Sequence, residues 1–410
     1  MESIIEKNDP PWIISLSSIP NSINIKIRKN KSKNEIYENS FTFKKLKKSK
    51  VFSNKKNTKD IIKGIIYFIE QKKITYEEKD NSLNFILTSY NKRILELNLN
   101  KTIDIENENK IKNLNLILIK SIQAHNHRVS CVSIFPSGNL VSVSCDKTIK
   151  IWDKIYYNLL QCIEEAHSDY INYVSIKDDN NFATCSRDQS IKIWERNEKE
   201  NKYILKSLIK NAHESWVFKV LYLSNNKIIS CSYDKTVKIW ENKNNEFLIA
   251  KIINHSNIVY SILQIEEQNI FISSGEFGTN LYDLENYNCI FEFNEVKCWN
   301  WNSLSKIDEN KILIGGTHGI IKIISLNDKS VAKEINNGFN CWGISVINNL
   351  DVIITVGEGK NAKLYKKNNY EFIKDINDIH SDDIEGILQI SEKLILTYSW
   401  DKNINIWKLE

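Results

Sequence analysis

The sequence lacks the cysteine and histidine patterns that bind metals or build disulfide frameworks. Its eight cysteines include no C-x-x-C pair, and its seven histidines form no H-x-x-x-H or H-E-x-x-H motif. Cysteines scattered in this way are typical of reduced thiols rather than of a disulfide framework or a zinc site. We therefore predict a protein that holds no metal and no cofactor.

Long apolar runs are also lacking. No apolar segment approaches the ~20 residues that span a bilayer, and the N-terminus, MESIIEKNDPPW, lacks the charged-then-apolar order of a signal peptide. With 41% hydrophobic and 26% charged residues among 410, the composition is typical of a soluble globular protein. That length suffices for two or three ordinary domains, or for one large all-β domain and a small one. We expect a cytoplasmic or nuclear protein with no transmembrane segment.

The sequence offers few residues for catalysis. Only 12 glycines are present, and no G-x-S-x-G nucleophile elbow occurs. The segment VGEGKN, residues 356–361, is glycine-containing but lacks the G-x-x-x-x-G-K-[ST] spacing of a phosphate-binding loop. We therefore predict that the protein is not an enzyme.

What the chain does contain is a repeated spacing of three residue types. His125 is followed after 21 residues by Asp146 and after a further six by Trp152. The same intervals recur at His167, Asp188 and Trp194; at His213, Asp234 and Trp240; and at His380, Asp401 and Trp407. Three degraded copies begin at His255, Lys297 and Gly338. The seven copies are 41 to 46 residues apart, a period that indicates a β-propeller.

Four segments of these copies resemble the WD-repeat family. CDKTIKIWD, RDQSIKIWE, YDKTVKIWE and WDKNINIWK match its tight turn and third strand, and the resemblance extends over residues 115–410. It implies a buried tetrad of His, Ser or Thr, Asp and Trp in each complete copy. The implied tetrads are His125, Ser142, Asp146, Trp152; His167, Thr184, Asp188, Trp194; His213, Ser230, Asp234, Trp240; and His380, Thr397, Asp401, Trp407. Copies four to six lack a complete tetrad, and we expect them to be the more plastic part of the ring.

The last copy lacks an outer strand, because Trp407 is followed only by KLE. The segment LNLILIKSI, residues 114–122, lies just before His125, where an outer strand belongs. Pairing with the C-terminal copy would close the ring and remove its free edges. The predicted fold is an all-β, seven-bladed propeller of the WD-repeat type over residues 114–410, closed by the strand 114–122.

Residues 1–113 show no repeat and predict a small, basic α+β domain. NSINIKIRKN and NSFTFKKL alternate as strands do, and TKDIIKGIIYFIEQKK has helical spacing behind a Thr58 cap. ITYEEKD, SLNFILTS and RILELNLN indicate a three-stranded meander. Two interpretations of the basic segment 44–59 stay open: contact with nucleic acid or an acidic membrane, or a solvated loop, since it lacks arginine and interleaved aromatics.

In the WD-repeat family, one face of the disc commonly binds partner proteins. The resemblance implies that the third and fifth residues after the repeat His, and the residue before the turn Asp, lie on that face. The candidate partner-binding residues are Arg187, Trp216, Tyr233, Trp400, Tyr170, Phe218 and Tyr260, together with Arg128 and Asn172. Trp299, Trp301 and Trp342 lie near equivalent positions. Trp, Tyr and Arg dominate binding hot spots; alternatively, several of these aromatics pack between blades.

Three functions follow from these observations. The favoured one is a non-enzymatic adaptor or scaffold that binds protein or peptide partners on the propeller face, within a multiprotein complex. The alternative is a protein associated with nucleic acid or a membrane surface through its basic N-terminal segment. In addition, ATCSRDQSIKIWE, followed one copy later by SCSYDKTVKIW, resembles the cytosolic iron–sulfur targeting adaptor of the WD-repeat family.

Overall fold

The structure is a computed structural model of the full chain. It describes residues 111–410 except 245, 277 and 317, and it describes the backbone of seven strands within the first 110 residues. The chain divides into two compact units, Met1–Lys112 and Asn113–Glu410. Within the described residues, no helix is both long enough and apolar enough to cross a membrane.

The N-terminal unit contains an antiparallel sheet with the strand order β1-β2-β3-β4-β7-β6-β5. Its strands are β1 (Glu2–Asn8), β2 (Pro11–Ile19), β3 (Ser22–Lys29), β4 (Glu35–Thr42), β5 (Ile74–Lys79), β6 (Ser82–Ser89) and β7 (Lys92–Ile103). Strands β5, β6 and β7 pair in sequence order, as a meander does, while β1 and β2 have no counterpart in the sequence analysis. The expected helix behind Thr58 and the basic segment 44–59 lie outside the described residues, so the α+β class stays a prediction.

The second unit is a seven-bladed β-propeller in which each blade is a four-stranded antiparallel sheet. Stretches rich in Ile, Val, Ser and Thr form the strands, and Asp, Asn and Gly occupy the turns between them. The closing strand is β8 (Leu116–Gln123). Blade one comprises β9 (Val129–Ile134), β10 (Leu140–Ser144), β11 (Ile149–Trp152) and β12 (Leu159–Ile163); blade two, β13 (Ile171–Ile176), β14 (Asn181–Ser186), β15 (Ile191–Asn197) and β16 (Lys202–Ile209); blade three, β17 (Val217–Tyr222), β18 (Ile228–Ser232), β19 (Thr236–Lys243) and β20 (Glu246–Asn254).

The remaining blades follow the same order, from the innermost strand outward. Blade four comprises β21 (Val259–Ile265), β22 (Ile270–Gly275), β23 (Gly278–Asp283) and β24 (Cys289–Phe293); blade five, β25 (Leu304–Lys306), β26 (Lys311–Gly315), β27 (Ile320–Ser325) and β28 (Ser330–Asn336); blade six, β29 (Cys341–Ile347), β30 (Val352–Gly357), β31 (Ala362–Lys366) and β32 (Phe372–Ile376); blade seven, β33 (Ile384–Ser391), β34 (Leu394–Ser399) and β35 (Asn403–Leu409) with β8 as its outer strand. Short 3-10 turns, Glu266–Gln268 and Asn348–Leu350, join the first two strands of blades four and six.

The hydrophobic core lies between neighbouring blades. Val141 and Ile149 of blade one, for example, pack with Ile171, Phe182 and Trp194 of blade two. The innermost strands contact one another around the ring, and β33 of the last blade contacts β9 of the first. Because each blade buries its apolar faces against two neighbours, the core is complete only in a closed ring.

The two ends of the propeller unit meet in blade seven. Strand β8 pairs antiparallel with β35, with Leu118 opposite Trp407, and it includes most of the segment 114–122 that the sequence analysis assigns to closure. Ser121 and Asn405 add a side-chain hydrogen bond of 2.6 Å. Without β8, the N–H and C=O groups of β35 would form an open sheet edge.

Truncation on either side of β8 tests the closure. Removing residues 1–110 keeps the closing strand, and we expect a folded, monomeric propeller. Removing residues 1–124 exposes the edge of β35, and we expect a lower unfolding temperature and aggregation. Size-exclusion chromatography with light scattering, followed by thermal unfolding, compares the two fragments. A stable, monomeric 125–410 fragment would contradict closure by β8.

Candidate functional site

The four complete repeats each form a hydrogen-bonded tetrad. In blade three, Trp240 Nε1 donates to Ser230 Oγ (2.8 Å), Ser230 Oγ lies 2.7 Å from His213 Nε2, and His213 Nδ1 lies 2.8 Å from Asp234 Oδ2. The tetrads of blades one, two and seven have the same three contacts at 2.7–2.9 Å. Each tetrad thus ties the turn to the second and third strands of its blade.

Burial sets the proton positions in these tetrads. Removal from water lowers the pKa of His213, and likewise of His125 and His167, although the hydrogen bond to the turn Asp acts in the opposite direction. The imidazole is therefore neutral near pH 7, and since a carboxylate only accepts, Nδ1 carries the proton. Nε2 then accepts from the Ser or Thr hydroxyl, which in turn accepts from the indole.

The carboxylate of the turn Asp is the last acceptor in the series of hydrogen bonds that makes up each tetrad. Asp234 also accepts from the backbone N–H groups of Glu214 and Thr236 and from the Thr236 hydroxyl. Burial alone would raise the pKa of Asp234, but these hydrogen bonds and the one from His213 hold it well below its ordinary value. Because every donor belongs to the same blade, the tetrad stabilises the turn itself.

Blades four and six replace the missing tetrads with other hydrogen bonds. In blade four, His255 Nε2 lies 3.1 Å from Ser273 Oγ and 3.2 Å from Tyr282 Oη, and burial lowers the pKa of His255 to about 4. In blade six, Asn337 Oδ1 accepts from Thr355 and Tyr365, both at 2.8 Å. Asn337 therefore occupies the His position, one residue before Gly338, where the sequence analysis began this copy, while Tyr365 holds the Trp position.

Blade five departs furthest, because residues 298–303 leave the sheet and cross the channel opening. We call these residues the plug segment. Asn300 Nδ2 donates to Glu385 Oε1 of blade seven (3.0 Å), and Trp301 Nε1 donates to the Ser130 carbonyl of blade one (3.3 Å). From blade three, Lys219 Nζ donates to the Trp301 carbonyl at 2.9 Å. One segment thus bonds to innermost strands on opposite sides of the ring.

A register shift that recurs in the innermost strands places the residues that make these contacts. In six blades the innermost strand has a register shift at the fifth residue after the His position, so that this residue stands outside the pairing, as in a β-bulge. The six residues are Ser130, Asn172, Phe218, Tyr260, Trp342 and Glu385. They surround the channel opening. In blade five, the plug segment takes the place of such a residue.

Large aromatic side chains are exposed around this opening. Trp216, Tyr233, Trp299 and Trp400 are 39%, 44%, 40% and 37% exposed. We call these four residues, with Arg128 and Arg187, the aromatic face. Neighbouring rings are in contact: the centroids of Trp216 and Tyr233 are 5.4 Å apart, and Trp400 stacks on Trp342 at 5.6 Å. The two pairs are joined beneath the surface by Phe218, which contacts Tyr233 and Trp301, and by Arg128, which lies over Trp301 and Trp400, so the surface is a connected patch.

Two arginines lie among these rings. The guanidinium of Arg187 is 4.3 Å from the centroid of Trp216 and 5.0 Å from that of Tyr170. The guanidinium of Arg128 is 4.7 Å from the centroid of Trp400 and 5.9 Å from that of Trp301. Such cation–π contacts stabilise the rings and restrict the arginines.

The structure places the seven candidate binding residues in one region but not all at the surface. Trp216, Tyr233 and Trp400 are exposed, while Arg187, Tyr170 and Tyr260 are half-buried. Phe218 is a correction: it is only 3% exposed and stacks on Trp301 at 5.8 Å. Phe218 therefore forms the floor of the aromatic face and not an exposed part of it.

Two functional residues escaped the sequence analysis. Glu385 is buried in β33 and accepts hydrogen bonds from Asn300 and, at 2.7 Å, from Trp400 Nε1. Burial raises the pKa of Glu385, and the charge of Arg128 opposes that effect. Lys219 is likewise buried, which lowers its pKa. In the sequence, each of these two residues could have been recognised as the single charged residue within a mostly apolar innermost strand.

Comparison with known proteins identifies part of the propeller. A family model described as WD domain, G-beta repeat, matches residues 117–153, 159–195 and 204–241. Each matched range begins at or near an outer strand and ends at or just beyond the Trp of a complete tetrad. No curated protein matches the chain. Within residues described by the structure, no group of three or more His, Cys, Asp or Glu side chains is placed to hold a metal ion.

The Asp234→Ala variant tests how much a tetrad contributes to the free energy of unfolding. Loss of the carboxylate leaves buried donors unpaired, and we expect destabilisation by ~1–3 kcal/mol. Glu276→Ala is the control, because Glu276 is an acidic residue in the corresponding turn of blade four and its side chain makes no hydrogen bond within the described residues. Denaturant unfolding measures both; equal effects would contradict the role assigned to the tetrad.

A pH titration tests the neutral imidazoles. Because burial lowers the pKa of His125, His167 and His213, the unfolded chain binds more protons than the folded one below pH of about 6.5. We therefore expect the unfolding temperature to fall as the pH is lowered from about 7 to about 5. His213→Gln should weaken this dependence, whereas His318→Gln, on an exposed turn, should not. An unfolding temperature independent of pH would refute the assignment.

Proposed function

This chain belongs to the WD-repeat family, and we propose that it is a non-enzymatic adaptor whose aromatic face binds a protein or peptide partner. Propellers of this family generally serve as interaction scaffolds. The fold is therefore compatible with many partners, and the choice among them depends on the surface that this chain presents.

The observation that carries the proposal is the exposure of four large aromatic side chains around two arginines. Monomeric proteins rarely expose contiguous apolar patches of this kind without a binding role. Trp, Tyr and Arg are also the residue types that contribute most to binding free energy at interfaces. An aromatic floor of Phe218 and Trp301 lies beneath the patch.

The backbone under the face is fixed before any partner binds. Arg187, Tyr233 and Trp400 each precede a tetrad Asp, and Trp216 lies three residues after the tetrad residue His213. Glu385 further holds the indole of Trp400 by a hydrogen bond. Rigid aromatic groups lose little conformational entropy on binding, which favours recognition by this face.

The other two functions have less support. Association with nucleic acid or a membrane depends on the basic segment 44–59, which lies outside the described residues. The iron–sulfur targeting role depends on the sequence around Arg187 and Tyr233 alone. We therefore retain both as predictions and place the adaptor function first.

Alanine substitutions at Trp216 and Tyr233 test the proposal. Partners retained by the full-length chain are identified by mass spectrometry and then titrated against each variant. We expect each substitution to weaken binding by ~1–3 kcal/mol and to leave the unfolding temperature nearly unchanged. Tyr156→Ala is the control, because Tyr156 is also an exposed tyrosine but lies between β11 and β12, away from the face. Normal binding with a reduced unfolding temperature would place these residues in the core and the binding surface elsewhere.

A further inference from the structure

Arg187 is a cation without a counterion in the described part of the chain. Its guanidinium lies between the rings of Tyr170 and Trp216, and its Nε is buried with no hydrogen-bond partner. The charge of the Asp169 carboxylate acts on Arg187. This carboxylate accepts a hydrogen bond from the backbone N–H of Tyr170, however, and forms no ion pair with the guanidinium within the described residues. Burial and the like charge of Arg128 lower the pKa of Arg187.

Arg128, on the same face, has partners of its own. Its Nε donates to Cys145 Sγ at 2.9 Å, and the buried carboxylate of Glu385 offsets its charge. Burial alone would lower the pKa of Arg128, but Glu385 and Cys145 raise it. The two arginines thus differ: one is compensated within the fold, and the other is not.

A partly buried guanidinium that no acid of the fold pairs with is costly unless an anion outside the fold binds its exposed part. The rings of Tyr170 and Trp216 flank its charge, and the planar fork of donors matches the two oxygens of a carboxylate. Beside Arg187, the exposed rings of Trp216 and Tyr233 offer apolar area.

We propose that the partner is an acidic peptide segment: a side-chain carboxylate of Asp or Glu binds Arg187, and an adjacent aromatic or aliphatic residue packs on Trp216 and Tyr233. This inference rests on the proposed function and names the partner chemistry for the same face. It makes Arg187 the residue that selects the charge of the ligand.

The charge of the face favours a carboxylate over a phosphate group. Of the two arginines, Arg187 is the one whose guanidinium makes no hydrogen bond within the described residues, whereas a phosphate carries a charge of about −2 and recruits several donors. The carboxylates of Asp169 and Glu385 act on the two arginines and would repel a dianion more strongly than a monoanion. A single carboxylate matches the single uncompensated cation.

A random peptide library displayed on phage, selected against the full-length chain, tests the proposal. We expect enrichment of peptides that carry Asp or Glu next to an aromatic or aliphatic residue. Selected peptides are then synthesised in three forms: with the acid, with its amide (Asn or Gln), and with phosphoserine in its place. The acidic form should bind at least about 10-fold more tightly than the amide form.

Protein variants assign this preference to Arg187. Arg187→Gln should lose about 10-fold or more in affinity for the acidic peptide and should bind the acidic and amide forms equally well. Arg196→Gln is the matched control, because Arg196 lies on β15 and bonds to Asn201 away from the face. The comparison of peptide forms uses the unmodified protein, so it remains valid even if Arg187→Gln fails to fold.

The outcomes separate this inference from the proposed function. Selected peptides that lose binding in Trp216→Ala but show no preference for an acid would overturn the role of Arg187 and leave the adaptor function intact. Tighter binding of the phosphoserine form than of the acidic form would overturn the choice of a carboxylate. If no peptide depends on Trp216, Tyr233 or Arg187, both the inference and the proposed function are wrong.

Discussion

A carboxylate can be buried in the tight turns of blades one, two, three and seven only because several donors converge on it. In blade three the imidazole of His213, two backbone N–H groups and the Thr236 hydroxyl supply them. The same bonds hold the residue after the Asp in the left-handed region, with φ of 69° to 73° at Lys147, Gln189, Lys235 and Lys402. The residue before the Asp is thereby fixed as well, and in three blades that residue is Arg187, Tyr233 or Trp400. The stability of the turn and the placement of the face have one physical origin.

Blade five shows what the chain gains where the tetrad is absent. Its hydroxyl and Trp positions hold the buried Ile314 and Ile324, so no tetrad ties together the strands of this blade in the part that the structure describes. The residues before its short first strand are free to cross the channel opening and bond to blades one, three and seven. Trp301 then supports Phe218 from the channel side. The degraded repeat is therefore the one that completes the floor of the aromatic face.

Local spacing revealed the repeated His, Asp and Trp, and the family resemblance implied the tetrads, whose members lie at intervals of 17, 21 and 27 residues within a single blade. It could not predict contacts that join distant parts of the chain, such as Trp301 with Ser130 or Asn300 with Glu385, because no interval within a repeat encodes them. Phe218 was placed at the surface by the family resemblance, which does not include the Trp301 ring that stacks on it. Asn337 was missed because an amide takes the place of the His and accepts from the hydroxyl groups of Thr355 and Tyr365.

The aromatic face combines apolar area with a single uncompensated charge, and these features act differently in recognition. Exposed rings bind any apolar group that reaches them, so area alone discriminates poorly among peptides. A partly desolvated guanidinium, by contrast, interacts strongly with an anion and loses hydration without compensation when a neutral ligand covers it. Arg128, already compensated by Glu385, adds little to this discrimination and instead fixes Trp400 and the plug segment. Selectivity of the face is therefore concentrated at Arg187, and affinity is spread over the rings around it.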